Sequence, residues 1–263
     1  MQPYSDSHET EPVHEVHSFV VLDLDRTLLD TDELNRRMCE RVVAAAGVDM
    51  RPEDGDPFSY IKGQKGKSFS VFGYFKARFG GEAVEDVMQY FLAVTDLGAE
   101  ADLVYPSVVE LLEELERQDI PHGILTYGDV ENQTFKLALF HKLVGKHHEE
   151  IVALVTDERF KAQWIEANWK QDLTDKIGKE GFVVHRDLFP SHVLRAQNIV
   201  VVDDKRENTQ AEEPRIVEFV VNNGQKDAEA QEQPIARLYT LVASGEFQAW
   251  VDKKIQQRLK TSA

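Results

Sequence analysis

The sequence predicts a doubly wound α/β fold: a parallel sheet with helices on both faces and a helical cap inserted after the first strand. Three observations predict it. Short apolar runs without polar alternation recur along the chain, as expected of strands covered on both faces. Helical patterns lie between these runs, and strand–helix alternation implies βαβ units with parallel pairing. Residues 31–102 break that rhythm, carrying helical patterns and Gly-rich turns but no buried strand.

In chain order, residues 1–17 read as a flexible tail, rich in His, Glu, Ser and Pro, with no apolar signal-peptide core. Ser18 to Leu22 is the first buried strand. Asp32 to Ala46 reads as a helix ending at Gly47, a C-cap residue, and further helices cover Phe69 to Phe79 and Glu82 to Thr95. A cap over residues 31–102 lies above the C-terminal edge of the sheet, where open α/β sheets bind ligands, so 18–30 and 103–263 form the core. Val108 to Gln118 places apolar residues at 108, 109, 111, 112 and 115, one helix face.

The second strand is Ile120 to Leu125, ending at Thr126, and Glu131 to Val144 is the next helix. Ile151 to Val155 is the third strand and Lys161 to Lys170 a helix. Gly178 to Ala196 holds an extra strand and loop. Ile199 to Val202, ending at Asp203, and Ile216 to Val221 are the last strands. Asn222 to Gln233 is a polar, exposed loop, and Phe247 to Leu259 closes the chain as a helix.

The composition narrows the partners. A formal charge of −17 over 263 residues excludes general nucleic-acid binding and adsorption to anionic membranes, since both need a basic face. One cysteine, Cys39, excludes an internal disulfide and a Cys-rich zinc site. No apolar run approaches the roughly 20 residues of a membrane span. The expectation is a cytoplasmic protein, monomeric by default, with a small-molecule partner.

The chemistry lies in the polar residues that close the strands. The first ends in Asp23-Leu24-Asp25, the second in Thr126 and the fourth in Asp203-Asp204. Each piece alone is more often a turn or a helix cap. Together, each after a buried run, they crowd carboxylates at one rim of an apolar sheet. Such crowding is costly unless a cation sits among them, and hard oxygen ligands suit Mg²⁺.

Asp23-Leu24-Asp25-Arg26-Thr27-Leu28, Thr126 and Asp203-Asp204 resemble the first, second and fourth motifs of the haloacid dehalogenase (HAD) superfamily of phosphatases and phosphotransferases. The resemblance spans roughly residues 18 to 221. Tyr105-Pro106-Ser107-Val108 is similar to the family's re-entry from a cap, and the insertion resembles the α-helical cap of the first subclass. Lys161 is the choice for the lysine of the third motif; Lys142 and Lys146 lie on the wrong side of the third strand.

The resemblance implies Asp23 as nucleophile forming an aspartyl-phosphate and Asp25 as general acid and base. It implies Thr126, Tyr127 and Lys161 as phosphoryl-binding residues. It further implies a Mg²⁺ held by the Asp23 side chain, the Asp25 carbonyl and the Asp203-Asp204 pair. Asp204 is then the direct ligand, Asp203 orients Lys161, and Asn208 lies behind them. Asp25 points to phosphoesters, because displacing halide from carbon needs no acid for an oxygen leaving group. Arg26 departs from the family's usual glycine.

The expected activity is a Mg²⁺-dependent phosphatase acting on a small phosphorylated metabolite. The alternatives are a phosphomutase or phosphotransferase, with a sugar hydroxyl as acceptor, and a catalytically silent phosphate-binding regulatory module. Other signals are set aside. His185-Arg186-Asp187 resembles a kinase catalytic loop without its partners, and Gly66-Lys67-Ser68 lacks the first glycine of a P-loop. His141, His147 and His148 read as surface residues, Lys62, Lys65 and Lys67 as a solvated loop, and Trp164 and Trp169 as helix packing.

Overall fold

The structure, a computed structural model, describes residues 14–49, 71–93, 100–145, 151–156, 158–172, 180–184, 193–223 and 233–261. Among these, seven strands form one sheet: β1 (His14–Leu22), β2 (His122–Tyr127), β3 (Ala153–Thr156), β4 (Lys170–Asp172), β5 (Glu180–Val184), β6 (Leu194–Asp203) and β7 (Ile216–Val220). Strands β3, β2, β1, β6 and β7 pair side by side and are all parallel. The hairpin β4–β5 joins antiparallel to the first residues of β6, whereas β7 pairs with its second half.

The alternation of strand side chains explains the two covered faces. Val20 and Leu22 of β1, with Ile124, Val200 and Val202, enter one apolar cluster. It is closed by α4 (Val108–Arg117), α5 (Val130–Val144), α8 (Ile235–Ala243) and α9 (Phe247–Thr261). Phe19, Val21, Leu125, Ile199 and Val201 enter the other, against Ile165 and Trp169 of α6 (Lys161–Trp169). Trp164 packs there too, meeting Trp169 edge-on at 4.9 Å. The doubly wound architecture is therefore as the apolar runs predict.

Several elements differ from the sequence expectation, among them β4, which begins at Lys170, the residue expected to end the helix from Lys161. β1 begins at His14, so residues 14–17 belong to the sheet and not to a tail; residues 1–13 lie outside the described residues. An apolar run marks where a strand is buried, and β1 continues beyond it because His14 to Val16 find ladder partners in Leu194 to Ala196. Helix α8 adds to the expected elements, with Ile235, Leu238, Leu241 and Val242 forming one buried face.

The insertion is helical: α1 (Thr31–Ala46), α2 (Val71–Phe79) and α3 (Gly81–Ala93). Asp30 caps α1 by accepting from the Glu33 N–H, and Gly47 closes it in the left-handed conformation at φ 62°. The cap docks on α5, where Phe135 meets Phe72 and Phe91 edge-on at 5.2 and 6.3 Å. The return to the core is fixed by Arg37, which donates to Glu100 at 2.8 Å and to both oxygens of Asp102 at 2.9 and 2.7 Å. A short helix, α7 (Arg206–Thr209), follows β6.

Candidate active site

The site stands at the C-terminal edge of the sheet. The Asp23 N–H donates to the Val202 carbonyl at 2.8 Å, which carries the β1–β6 register one residue past the strand and sets Asp23 beside Asp203. A tight loop comes next. Leu24 accepts from the N–H groups of Leu28 and Leu29 at 3.1 and 3.0 Å, and all three leucines are buried. Their burial turns Asp23 and Asp25 towards the edge. Arg26 takes the left-handed conformation at φ 60°, a backbone region that favours glycine. Its guanidinium donates to Asp32 of the cap at 2.8 and 3.2 Å. Asn223 braces the same loop, donating to the carbonyls of Arg26 and Thr27 at 3.2 and 3.1 Å and accepting from the Ile235 N–H at 3.0 Å.

Lys161, at the first residue of α6, is buried and connects two strand ends. Its Nζ donates to Asp203 Oδ2 at 2.6 Å and to Asp23 Oδ1. Thr27 Oγ1 donates to the other Asp23 oxygen at 3.3 Å. Asp203 Oδ1 accepts from the Lys205 N–H and from Asn208 Nδ2, both at 2.9 Å. The residues read as one site from separate stretches of sequence are thus neighbours in space. Lys142, the rejected lysine, donates to the Leu92 carbonyl in the cap, and Lys146 lies outside the described residues.

Two residues of the network belong to no motif in the sequence: Gln133 and Lys136, on successive turns of α5. Thr126 Oγ1 donates to Gln133 Oε1 at 3.1 Å. Gln133 Nε2 donates to Asp25 Oδ2 and to the Tyr127 carbonyl, both at 2.9 Å. Lys136, 4% exposed, donates to both Asp25 oxygens at 2.5 and 2.8 Å. Gly128, at φ 147°, makes room for this: a Cβ there would stand 2.7 Å from Gln133 Nε2. The one signal in the sequence is a lone lysine within the apolar run Phe135 to Phe140.

Beside Asp25 lies a cavity of about 200 Å³ between the motif loop, α1 and α5. Its wall includes Arg26, Asn35, Tyr127, Asn132, Gln133 and Lys136.

Electrostatics separate the carboxylates. Burial pushes the Asp23 carboxyl up to about 8; Lys161 opposes this, while Asp203, Asp204 and Asp25 add to it. Burial likewise pushes Asp204 up to about 7, opposed by Lys205 and reinforced by Asp203. Burial would raise Asp25 too, but the charge and hydrogen bonds of Lys136 and the Gln133 amide hold it below the usual carboxylate range. Lys161 is held above the usual lysine range: burial would lower it, but Asp203 and Asp23 outweigh that effect.

Asp23, Asp203 and Asp204 each offer a carboxylate oxygen within 4.8 Å of the others. Asp23 and Asp203, both buried, share the Lys161 ammonium, and half-buried Asp204 lies beside them with Lys205 Nζ 3.9 Å away. Asp23 and Asp204 are driven towards protonation. A hard divalent cation fits such a donor set and would relieve that repulsion. Among the described residues, no other group of His, Cys, Asp or Glu forms such a cluster.

A mostly parallel α/β core, an inserted helical cap and a carboxylate cluster able to hold a cation at the strand ends define a class of capped α/β proteins. The sequence profile of the haloacid dehalogenase-like hydrolases matches residues 20–172, more than half of the chain, and the chain belongs to that family. No curated protein matches it. Among solved structures, a protein of Burkholderia xenovorans proposed to be a haloacid dehalogenase-like hydrolase is 17% identical, with a TM-score of 0.49, over 89% of this chain and 98% of its own. A hydrolase from Pseudomonas syringae is 17% identical at a TM-score of 0.43, over 86% and 99%. CbbY of Rhodobacter sphaeroides is 18% identical at 0.43, over 82% and 92%. No helix among the described residues is long and apolar enough to cross a membrane.

Proposed function

We propose that this chain is a Mg²⁺-dependent phosphatase that hydrolyses a small phosphorylated metabolite through an aspartyl-phosphate on Asp23. The observation that carries this reading is the buried Lys161 ammonium shared between Asp23 and Asp203. It places a fixed positive charge beside the proposed nucleophile, where a phosphoryl group gathers negative charge as it transfers.

In the first half-reaction an Asp23 oxygen bonds to phosphorus as the bond to the leaving oxygen breaks. Asp25, having first taken up a proton against the ionising pull of Lys136, gives that proton to the leaving oxygen. In the second, water attacks the aspartyl-phosphate, Asp25 takes the water's proton, and phosphate departs with Asp23 regenerated. Thr126, Tyr127 and Lys161 hold the phosphoryl oxygens. Asp23, Asp204, Asp203 and the Asp25 carbonyl would hold the Mg²⁺, which neutralises phosphate charge when bound.

The polar wall of the cavity, with Asn35 and Asn132, also suits a hydroxylated acceptor, so phosphoryl transfer to a sugar hydroxyl is the second reading. A panel of phosphomonoesters with Mg²⁺ tests both. Free phosphate, lost with EDTA, is expected; isomerised sugar phosphate without free phosphate would favour the mutase. Turnover surviving complete metal removal would sink the metal assignment.

A pH experiment tests the cation site without substrate. Folding raises the carboxyls of Asp23 and Asp204 from 3.8 to about 8 and about 7. These two carboxyls therefore hold more protons in the native state than in the unfolded chain, and the stability they contribute to the metal-free protein is lost as pH rises from roughly 5 towards 8. Mg²⁺ competes with those protons, so its thermal stabilisation should be larger near pH 8 than near pH 6. A stabilisation independent of pH contradicts this assignment.

A further inference from the structure

The proposed reaction leaves Lys136 without a role. Its ammonium lies on the second helical turn of α5, within an otherwise apolar stretch, and is 4% exposed. Withdrawing an ammonium from water costs several kcal/mol unless a well-placed partner offsets it, and an apolar residue would serve α5 equally well as packing. The partner here is specific. Lys136 spans both oxygens of Asp25, and Gln133, one turn earlier, takes Oδ2 as well.

Three donor contacts from one rigid helix fix the plane of the Asp25 carboxyl in the cavity wall. Gln133 also ties that carboxyl to the Thr126 hydroxyl through its own amide oxygen. The height of the helix is set in turn by Phe135, clamped between Phe72 and Phe91 of the cap.

We propose that Lys136 is a positioning residue that, with Gln133, aims the Asp25 carboxyl at the leaving oxygen of the substrate. This rests on the phosphatase reading of Asp25. A carboxyl that must transfer a proton in the transition state gains from being held within a narrow range of directions, whereas a freely rotating one spends most of its time misaligned. Lys136 acts through Asp25 and needs no contact with the phosphoryl group. Its charge also favours the ionised carboxyl, so a Lys136→Met protein faster than the wild type on an alkyl phosphate, through easier protonation of Asp25, would overturn the positioning role.

The test uses the dependence of rate on the leaving group. Departure of p-nitrophenolate needs little acid help, whereas departure of an alkoxide from a simple alkyl phosphate needs it fully. The ratio kcat/KM is measured on both substrates for the wild type, Lys136→Met, Lys136→Arg, Asp25→Asn and the double variant Asp25→Asn/Lys136→Met. Lys136→Met is expected to copy Asp25→Asn, with a loss on the alkyl phosphate at least about tenfold greater than on the aryl ester.

Lys136→Arg should recover part of the alkyl rate, because it restores charged donors to both oxygens. Once Asp25 is already Asn, Lys136→Met should change the alkyl rate by less than about threefold. That double variant also lacks the buried carboxylate that Lys136→Met alone would strand, so the comparison survives poor folding of the single variant. Equal losses on the two substrates, or a full further loss in the Asp25→Asn background, would overturn the proposal alone. A wild type inert towards both substrates overturns the phosphatase reading and this proposal with it.

Discussion

Asp23→Asn is expected to lower phosphate release by about 10⁴- to 10⁶-fold, the range seen when an enzyme loses its nucleophile. The amide has the shape of the carboxylate but cannot form an acyl phosphate under these conditions. The fold should survive, because Lys161 keeps Asp203 at 2.6 Å and can donate to the amide oxygen, while the Thr27 hydroxyl can accept from the amide nitrogen. The substitution also removes one of three crowded acids, the one that burial raises most. The metal-free variant should therefore melt no lower than the wild type near pH 8. Phosphate assays and thermal melts measure the two effects separately, and an active Asp23→Asn protein would end its assignment as nucleophile.

Lys161→Met should damage both stability and activity. Its ammonium is the charge shared by Asp23 and Asp203, at the bottom of the site. Removing one member of a buried ionic group typically costs about 3–5 kcal/mol, because the remaining charges stay desolvated and unpaired. Loss of a fixed charge beside the transferring group adds a further loss of about 10²- to 10³-fold in kcat. Urea unfolding and turnover with saturating Mg²⁺ measure these effects. Lys142→Met is the control: that lysine donates to the Leu92 carbonyl in the cap and should leave turnover nearly intact. A Lys161→Met protein as stable as the wild type would contradict the bridging role.

The legible parts of this protein are those its strands dictate. Apolar runs mark β1, β2, β3, β6 and β7, and the polar residue ending each run must stand at one edge because the strands are parallel. Asp23, Thr126 and Asp203 can be found from that rule alone. Lys161 needs the family resemblance, since a lysine opening a helix carries no signal of its own. Gln133 and Lys136 stay hidden because their partners are about 108 and 111 residues away, and a helix pattern shows which face is buried, not what a polar residue on it touches. Asn223 stays hidden for the opposite reason: it stands in a polar stretch that reads as solvent-exposed, yet braces the motif loop.

The pairing of β1 with β6 has a consequence for biosynthesis. Every ladder partner of β1 on that side lies 180 residues further along the chain, and the His17 side chain meets Gln197 at the same separation. A nascent chain therefore carries Phe19 to Leu22 with one strand edge open until most of the protein has emerged from the ribosome. Such non-local topologies fold slowly and expose sticky intermediates. A chain that terminates before Leu194 lacks the strand that shields β1 from other nascent chains.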